Sequence, residues 1–190
     1  MDGPLVGEDG LARCPWAGVT PEYLRYHDTE WGRPVHGDDA LYERLCLEAF
    51  QSGLSWLTIL RKREGFRAAF AGFRIEEVAR FGEADVTRLL ADTAIVRNRA
   101  KVEATIHNAR VAADLPDGLG ALVWSFAPDG PPTAPATLAD VPAQTPASAA
   151  LAKTLKRHAF RFVGPTTAYA TMQAVGLVDD HLAGCHARGG

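Results

Sequence analysis

At 190 residues the chain is long enough to bury a hydrophobic core, and a hydrophobic content of 47% supports a folded globule of one domain. No apolar run nears the roughly 20 residues of a membrane span, and three cysteines (Cys14, Cys46 and Cys185) are too few and too dispersed for a disulfide framework. A formal net charge of −3 excludes a protein that coats nucleic acid by bulk electrostatics, but leaves room for local basic faces. Arg61, Lys62 and Arg63 form one such cluster, Arg97, Arg99 and Lys101 a second, and Lys156, Arg157 and Arg161 a third. Each cluster taken alone is equally well a solvated helix face.

In chain order, residues 1–12 are acidic and broken by glycines, unlike a secretory signal, which predicts a flexible leader and a cytoplasmic protein. "TPEYLRYHDTEW" opens a helix with Thr20 as N-cap and Pro21 at the first helical position. "DDALYERLCLEAF" starts on an aspartate cap; Leu41, Leu45 and Ala49 recur on one face, and Cys46 is a small core residue. Gly53 breaks the pattern before "SWLTILRKREGFRAAF" resumes it. "IEEVARF" and "EADVTRLL" are short amphipathic helices. "IVRNRAKVEATIHNARVAA" is the longest, with Val102, Ile106 and Ala109 on its buried side.

Residues 126–146 hold six of the twelve prolines, which predicts a loop. "TPASAALAKTLKRH" repeats the Thr-Pro helix start, and "VGPTTAYATMQAVG" runs from Pro165 to a Gly176 stop. No strand is expected. The fold class is all-α, a bundle of many short helices, with residues 13–186 as a single domain and 187–190 as a tail.

Two features carry chemistry. Cys14 and His27 are spaced C-x12-H, and His181 and Cys185 are spaced H-x3-C, which on a helix would set both side chains on one face. Two cysteines and two histidines complete a closed tetrahedral shell, structural rather than catalytic, that would clip the C-terminal segment to the N-terminal helix. Spacing alone equally allows ordinary polar histidines and a buried thiol. His36, His107, His158 and His186 read as surface or capping residues, His186 being the one that competes with His181. The H-E-x-x-H motif and the paired motifs of zinc deaminases are absent.

The second feature is an early cluster of aromatics, Trp16, Tyr23, Tyr26, Trp31 and Trp56, with Glu48 near the buried side of its helix. Flat π faces, phenol hydroxyls and a carboxylate suit a planar, electron-poor heterocycle, and they suit ordinary core packing as well. The Gly164-Pro165 turn before Thr166 and Thr167 exposes backbone N–H groups able to meet a phosphate.

The segments "CPW", "YHDTEWGRP", "LCLEAFQSGLSWLTILRKRE", "FRFVGPTTAY", "MQAVGLV" and "DDHLAGC", in this order, resemble the 3-methyladenine DNA glycosylase I family, a divergent branch of the helix-hairpin-helix DNA glycosylases. The resemblance spans Arg13 to Cys185. It implies one structural Zn²⁺ held by Cys14, His27, His181 and Cys185. It implies a base pocket in which Trp16 and Trp56 stack on a flipped base, with Tyr23 nearby, while Tyr26 and Glu48 bond its nitrogens. Glu48 is the catalytic-site carboxylate.

Leu54 is implied as the wedge that fills the gap in the duplex, with Gln51 beside it. Residues 162–167, including Gly164, Thr166 and Thr167, are implied as the hairpin facing the phosphate backbone. The expected activity is hydrolysis of the N-glycosidic bond of N3-methyladenine in double-stranded alkylated DNA by a monomer, without strand cleavage. A glycosylase for another or bulkier alkylated base, or a non-catalytic binder of alkylated DNA, fits the same residues. Asp179, which stands where many helix-hairpin-helix glycosylases keep a catalytic aspartate, is open to a catalytic role, a helix cap or a solvated residue, the last two being preferred.

Overall fold

The computed structural model describes residues 3–130 and 133–189. Among them no helix is long and apolar enough to cross a membrane. The chain begins with a short antiparallel hairpin, β1 (Leu5–Val6) paired with β2 (Ala12–Arg13), where no strand was expected. Gly10, at φ 78°, makes the reversal possible, and Arg13 holds it by donating to Asp9 (2.6 and 2.9 Å) and to Asp28 of the following helix. The segment read as a leader is thus tied to the body in the structure.

A 3-10 turn, Pro15–Val19, leads into α1 (Pro21–Thr29), whose Thr20 hydroxyl accepts from Tyr23 N at 3.2 Å as the sequence implies. Then follow α2 (Asp38–Gln51), α3 (Trp56–Ala69), α4 (Ile75–Val78), α5 (Glu83–Ala91), α6 (Arg99–Ala113), α7 (Gly118–Trp124), α8 (Pro146–Arg157) and α9 (Pro165–Ala174). The cap of α2 is Gly37, not an aspartate. Asp38 instead accepts from Gly120 N and Asp39 from Ile75 N, so the two carboxylates tie α2 to α7 and to the start of α4. Helix α6 starts later than the periodicity suggests, because the Asn98 side chain caps it by accepting from Lys101 N.

Helix α2 runs through the middle, touching α3, α6, α7 and α9. Its Leu41, Tyr42, Leu45 and Phe50 pack with Ile59, Phe66, Phe70 and Phe73 into one core. Each such fully buried side chain contributes about 1.5–3 kcal/mol. The proline-rich segment carries only a 3-10 turn, Leu138–Asp140, closed by Thr137 and Asp140.

Helix α9 ends where Gly176 adopts φ +70°. An added Cβ there would lie 2.6 Å from Arg33 C and 2.7 Å from Pro34 N, both backbone atoms that cannot move aside cheaply. Gly176→Ala is therefore expected to lower stability by about 2 kcal/mol, read as a fall of roughly 4–8 °C in the thermal midpoint. An unchanged midpoint would contradict the close approach.

Candidate functional site

A cavity of about 300 Å³ opens between α1, the ends of α2 and α3, and α9. Trp16, Tyr23, Tyr26, Glu48, Gln51 and Trp56 all line it, so the structure brings together the aromatics and the acid that the sequence proposed. Trp31, Ala170 and Gln173 line it too. Trp31 stood among the early aromatics without a role. Ala170 and Gln173 carry no signal of their own, and only the packing of α9 against α2 brings them here.

Trp16 meets Tyr23 and Trp31 edge to face, and Tyr26 meets Trp56 at a tilt of 51°. The Trp16 centroid lies 5.8 Å from Tyr23 at 76° and 5.1 Å from Trp31 at 86°, and Tyr26 lies 5.5 Å from Trp56. Tyr23 accepts from Leu57 N at 3.1 Å, which fixes α1 against the first turn of α3. Two polar groups are left without partners. Trp56 Nε1 is buried and unbonded, and the Glu48 carboxylate has no hydrogen bond among the described residues. Burial pushes the Glu48 pKa up to about 8, against a smaller opposing pull from Arg44 one turn earlier. Burial, followed by the neighbouring Glu48, raises the Tyr26 phenol well above its ordinary value.

Beneath this floor lies a lattice of ion pairs. Glu30 accepts from Arg63 at 2.6 and 2.8 Å and from Arg44 at 3.3 Å, while Glu43 accepts from Arg44 and Arg67. Arg44 is thus already held by two carboxylates, which explains why it neutralises Glu48 so little. The acid is left available for a ligand that supplies positive charge or N–H donors.

At the lip, Gln51 Nε2 donates to Leu54 O at 3.0 Å and Leu54 N donates to Gln51 O at 2.7 Å. Gly53, at φ 80°, closes this turn and leaves Leu54 exposed at its tip. The α8–α9 connection carries Ala159 and Phe162 at positive φ, with Gly164 as the cap of α9. Asn108 of α6 clamps it, donating to Arg161 O at 3.0 Å and accepting from Arg161 N at 2.8 Å. Thr166 is exposed and Thr167 half-buried beside it, and Phe162 is exposed at the turn. Lys153, Lys156 and Arg157 line a shallow groove running to Pro165.

The Cys and His residues also gather. The ligand atoms of Cys14, His27 and Cys185 lie within 4.8 Å of one another, all three residues buried, and could hold a metal ion. Cys185 Sγ is 3.3 Å from His27 Nε2. His181 packs edge to face on His27 with centroids 4.9 Å apart, and its Nε2 is buried with no partner.

The two histidines are oriented from behind. Asp28 holds His27 Nδ1 at 2.8 Å and Asp179 holds His181 Nδ1 at 2.9 Å, a carboxylate backing that leaves each Nε2 free of it, although the His181 ligand atom lies outside the close group of Cys14, His27 and Cys185. His181 and Cys185 do not share a helix face, in contrast to the sequence expectation. The segment is a turn in which Asp179 accepts from His181 N, Cys185 N donates to Leu182 O and Gly184 takes φ 84°. His186 instead reaches Asp28 at 2.9 Å, and with His27 and Asp28 it forms a second, more exposed group that could hold a metal ion. Asp179 is spent on His181 and on Gly189 N and does not line the cavity.

Known proteins resemble the chain over most of its length. The family description "Methyladenine glycosylase" matches residues 16–188. The chain is 45% identical over 179 residues to DNA-3-methyladenine glycosylase 1 of Escherichia coli K12, covering 92% of this chain and 96% of the relative. It is 41% identical over 177 residues to the DNA-3-methyladenine glycosylase of Haemophilus influenzae, covering 91% and 96%.

A crystal structure of 3-methyladenine DNA glycosylase I superposes with a TM-score of 0.88 at 46% identity, covering 93% of this chain and 99% of that one. The Staphylococcus aureus enzyme, solved for its recognition of 3-methyladenine, gives 0.88 at 34% identity, covering 94% and 97%. The chain belongs to the methyladenine glycosylase family.

Proposed function

We propose that this chain, acting as a monomer, removes N3-methyladenine from double-stranded alkylated DNA by hydrolysing its N-glycosidic bond. The observation that carries the reading is a buried, unpartnered Glu48 facing an aromatic cavity of about 300 Å³. Such a site disfavours a neutral apolar guest and favours a flat cation. Methylation at N3 makes adenine cationic and its glycosidic bond weak. The protein's work is then to extrude the base and hold its charge.

Trp16 and Trp56 stack on the base, and Tyr23 steadies α1 against α3. Tyr26 and Glu48 meet the nitrogens of the base. Leu54 enters the duplex as the base leaves, with Gln51 bracing it from behind, at a cost of a few kcal/mol of lost stacking. As the C1′–N bond breaks, its electron pair neutralises the cationic ring. Water adds its oxygen to C1′ and gives its proton to solvent, leaving an abasic site. No lysine lines the cavity, so no Schiff base forms and the strand stays intact.

The α8–α9 connection serves as the hairpin of a helix-hairpin-helix element. Gly164, Thr166 and Thr167 turn backbone N–H groups toward a phosphate, and Lys156 and Arg157 add charge beside it. One structural Zn²⁺ fits the buried Cys14, His27, His181 and Cys185 shell. The orphaned His181 Nε2 and the two carboxylate-backed imidazoles support it. Bound there, the ion joins the two ends of the chain, and Asp179 acts as the support of His181. Trp16 connects the two sites, lining the cavity while packing on His27 at 5.1 Å.

The test is a methylated duplex incubated with the protein. Alkali-labile sites should accumulate with no nicks before alkali treatment; nicks without alkali, or no labile sites, would contradict the reading. Trp56→Ala, which removes one stacking face, should weaken affinity for free 3-methyladenine about 10- to 100-fold in a fluorescence titration. An unchanged affinity would remove Trp56 from the pocket's function.

A further inference from the structure

Lys101 lies in the first turn of α6 and is nearly buried at 9% exposure. Its ammonium donates to Phe50 O at 2.9 Å and to Ser52 O at 2.6 Å, carbonyls at the C-terminal end of α2. This placement opposes stability on two counts. A cation rooted in a helix N-terminus meets the positive end of that dipole and burial strips an ammonium of water, and both are offset only because the ammonium reaches the negative C-terminal end of α2. Carbonyls at a helix end on the protein surface could be met by water or by a glycine cap. Here they are met by one charged side chain about fifty residues away in sequence.

The two carbonyls flank Gln51, and the segment they bracket separates Glu48 and Gln51 on α2 from Leu54 and Trp56. Four elements of the pocket and its lip thus meet at the point where Lys101 grips the backbone. Gln51 and Leu54 bond to each other across the turn, Ser52 N donates to Ala49 O at 3.4 Å, and Gly53 takes φ 80° between them.

We propose that Lys101 is a positioning residue for base extrusion, its ammonium clamping the turn after α2 so that Leu54 stays at the tip of the lip. The proposal rests on the reading of Leu54 as the wedge. A lysine is suited to the task because its three donors can grip two carbonyls at once from a flexible stem. The clamp acts on the turn and leaves the stacking faces alone, so its loss should slow excision from DNA without weakening capture of the free base.

Lys101→Met removes both bonds at similar length, Lys101→Gln leaves one neutral donor, and Lys101→Arg restores a cation. Single-turnover release of 3-methyladenine from duplex DNA should fall about 100-fold in Lys101→Met, the scale set by a misplacement of about 1 Å. The fall should be smaller in Lys101→Gln and largely reversed in Lys101→Arg, with affinity for free 3-methyladenine kept within about twofold in all three. Should Lys101→Met not fold, the Gln and Arg pair carries the same comparison. An unchanged excision rate, or a rate that falls in step with free-base affinity and thermal midpoint, overturns the proposal. Leu54→Ala separates the two readings. A wild-type rate in Leu54→Ala overturns the wedge itself, whereas a slowed Leu54→Ala beside unaffected Lys101 variants overturns only the clamp.

Discussion

Replacing Glu48 by glutamine should abolish most base release while making the protein more stable at alkaline pH. The carboxylate sits buried without a donor, and its pKa is raised to about 8 from an ordinary 4.5. A raised carboxylate pKa means that the folded state binds more protons than the unfolded state between these two values. Stability therefore falls as pH rises from about 4.5 to about 8, and the penalty is fully present above that. Glutamine has nearly the same shape and no charge, so it matches the protonated acid below pH 5 and removes the penalty above pH 8.

The expected gain at pH 9 is on the order of several kcal/mol, a rise of roughly 10 °C or more in the thermal midpoint, shrinking toward zero in acid. Activity should move the other way. Losing a charge aimed at a cationic base is expected to cost about 100- to 1,000-fold in the rate of base release. The wild-type rate should also rise with pH as Glu48 ionises, a limb the glutamine variant should lack. Equal stability of the two proteins at pH 9, or equal rates, would contradict the assignment of a strained, functional acid.

Loss of the Zn²⁺ proposed for Cys14, His27, His181 and Cys185 should have the second largest effect. The four donor residues are buried, and the small second core around them holds little else: Leu182 and Ala187, with Trp16 and Val141 packed at its margin. A core so small cannot offset the burial of two thiols and two imidazoles by apolar contact alone. Chelation, or Cys185→Ser, is therefore expected to cost at least about 4 kcal/mol, or 8 °C or more in the midpoint, and to free the end of the chain to proteolysis. Because Trp16 packs on His27 and lines the cavity, affinity for free 3-methyladenine should fall as well. Metal analysis should find one equivalent in the wild type and a deficit in Cys185→Ser. A stable, metal-free wild type would contradict the clip.

Much of the fold is legible in local chemistry. Thr20-Pro21 and Thr145-Pro146 announce α1 and α8 because a hydroxyl cap and a fixed φ act within four residues, and Gly176 announces the end of α9 for the same reason. What escapes the sequence depends on partners far along the chain. Helix α7 has no capping side chain and begins on Gly118. Its position is set by Asp38, which accepts from Gly120 and presses against Gly118. The N-terminal hairpin depends on Arg13 finding Asp28, and the bend of residues 181–185 on Asp179 turning back to His181.

The site divides in the same way. Trp16, Tyr26, Glu48 and Trp56 are readable as a cluster of aromatics around an acid, but the same residues would serve a core equally well. The cavity and the missing hydrogen bonds of Glu48 support the proposed pocket. Gln173 is legible only in three dimensions, where Asp180 accepts from its Nε2 at 2.8 Å and from Tyr169 Oη and so fixes its place on the wall.

The most direct test of the central claim is chromatographic identification of what the purified protein releases from duplex DNA carrying both 3-methyladenine and 7-methylguanine. The pocket's flat, acid-backed cavity predicts free 3-methyladenine appearing in solution with single-exponential kinetics. Tight binding to the methylated duplex with no free base in solution would contradict the account.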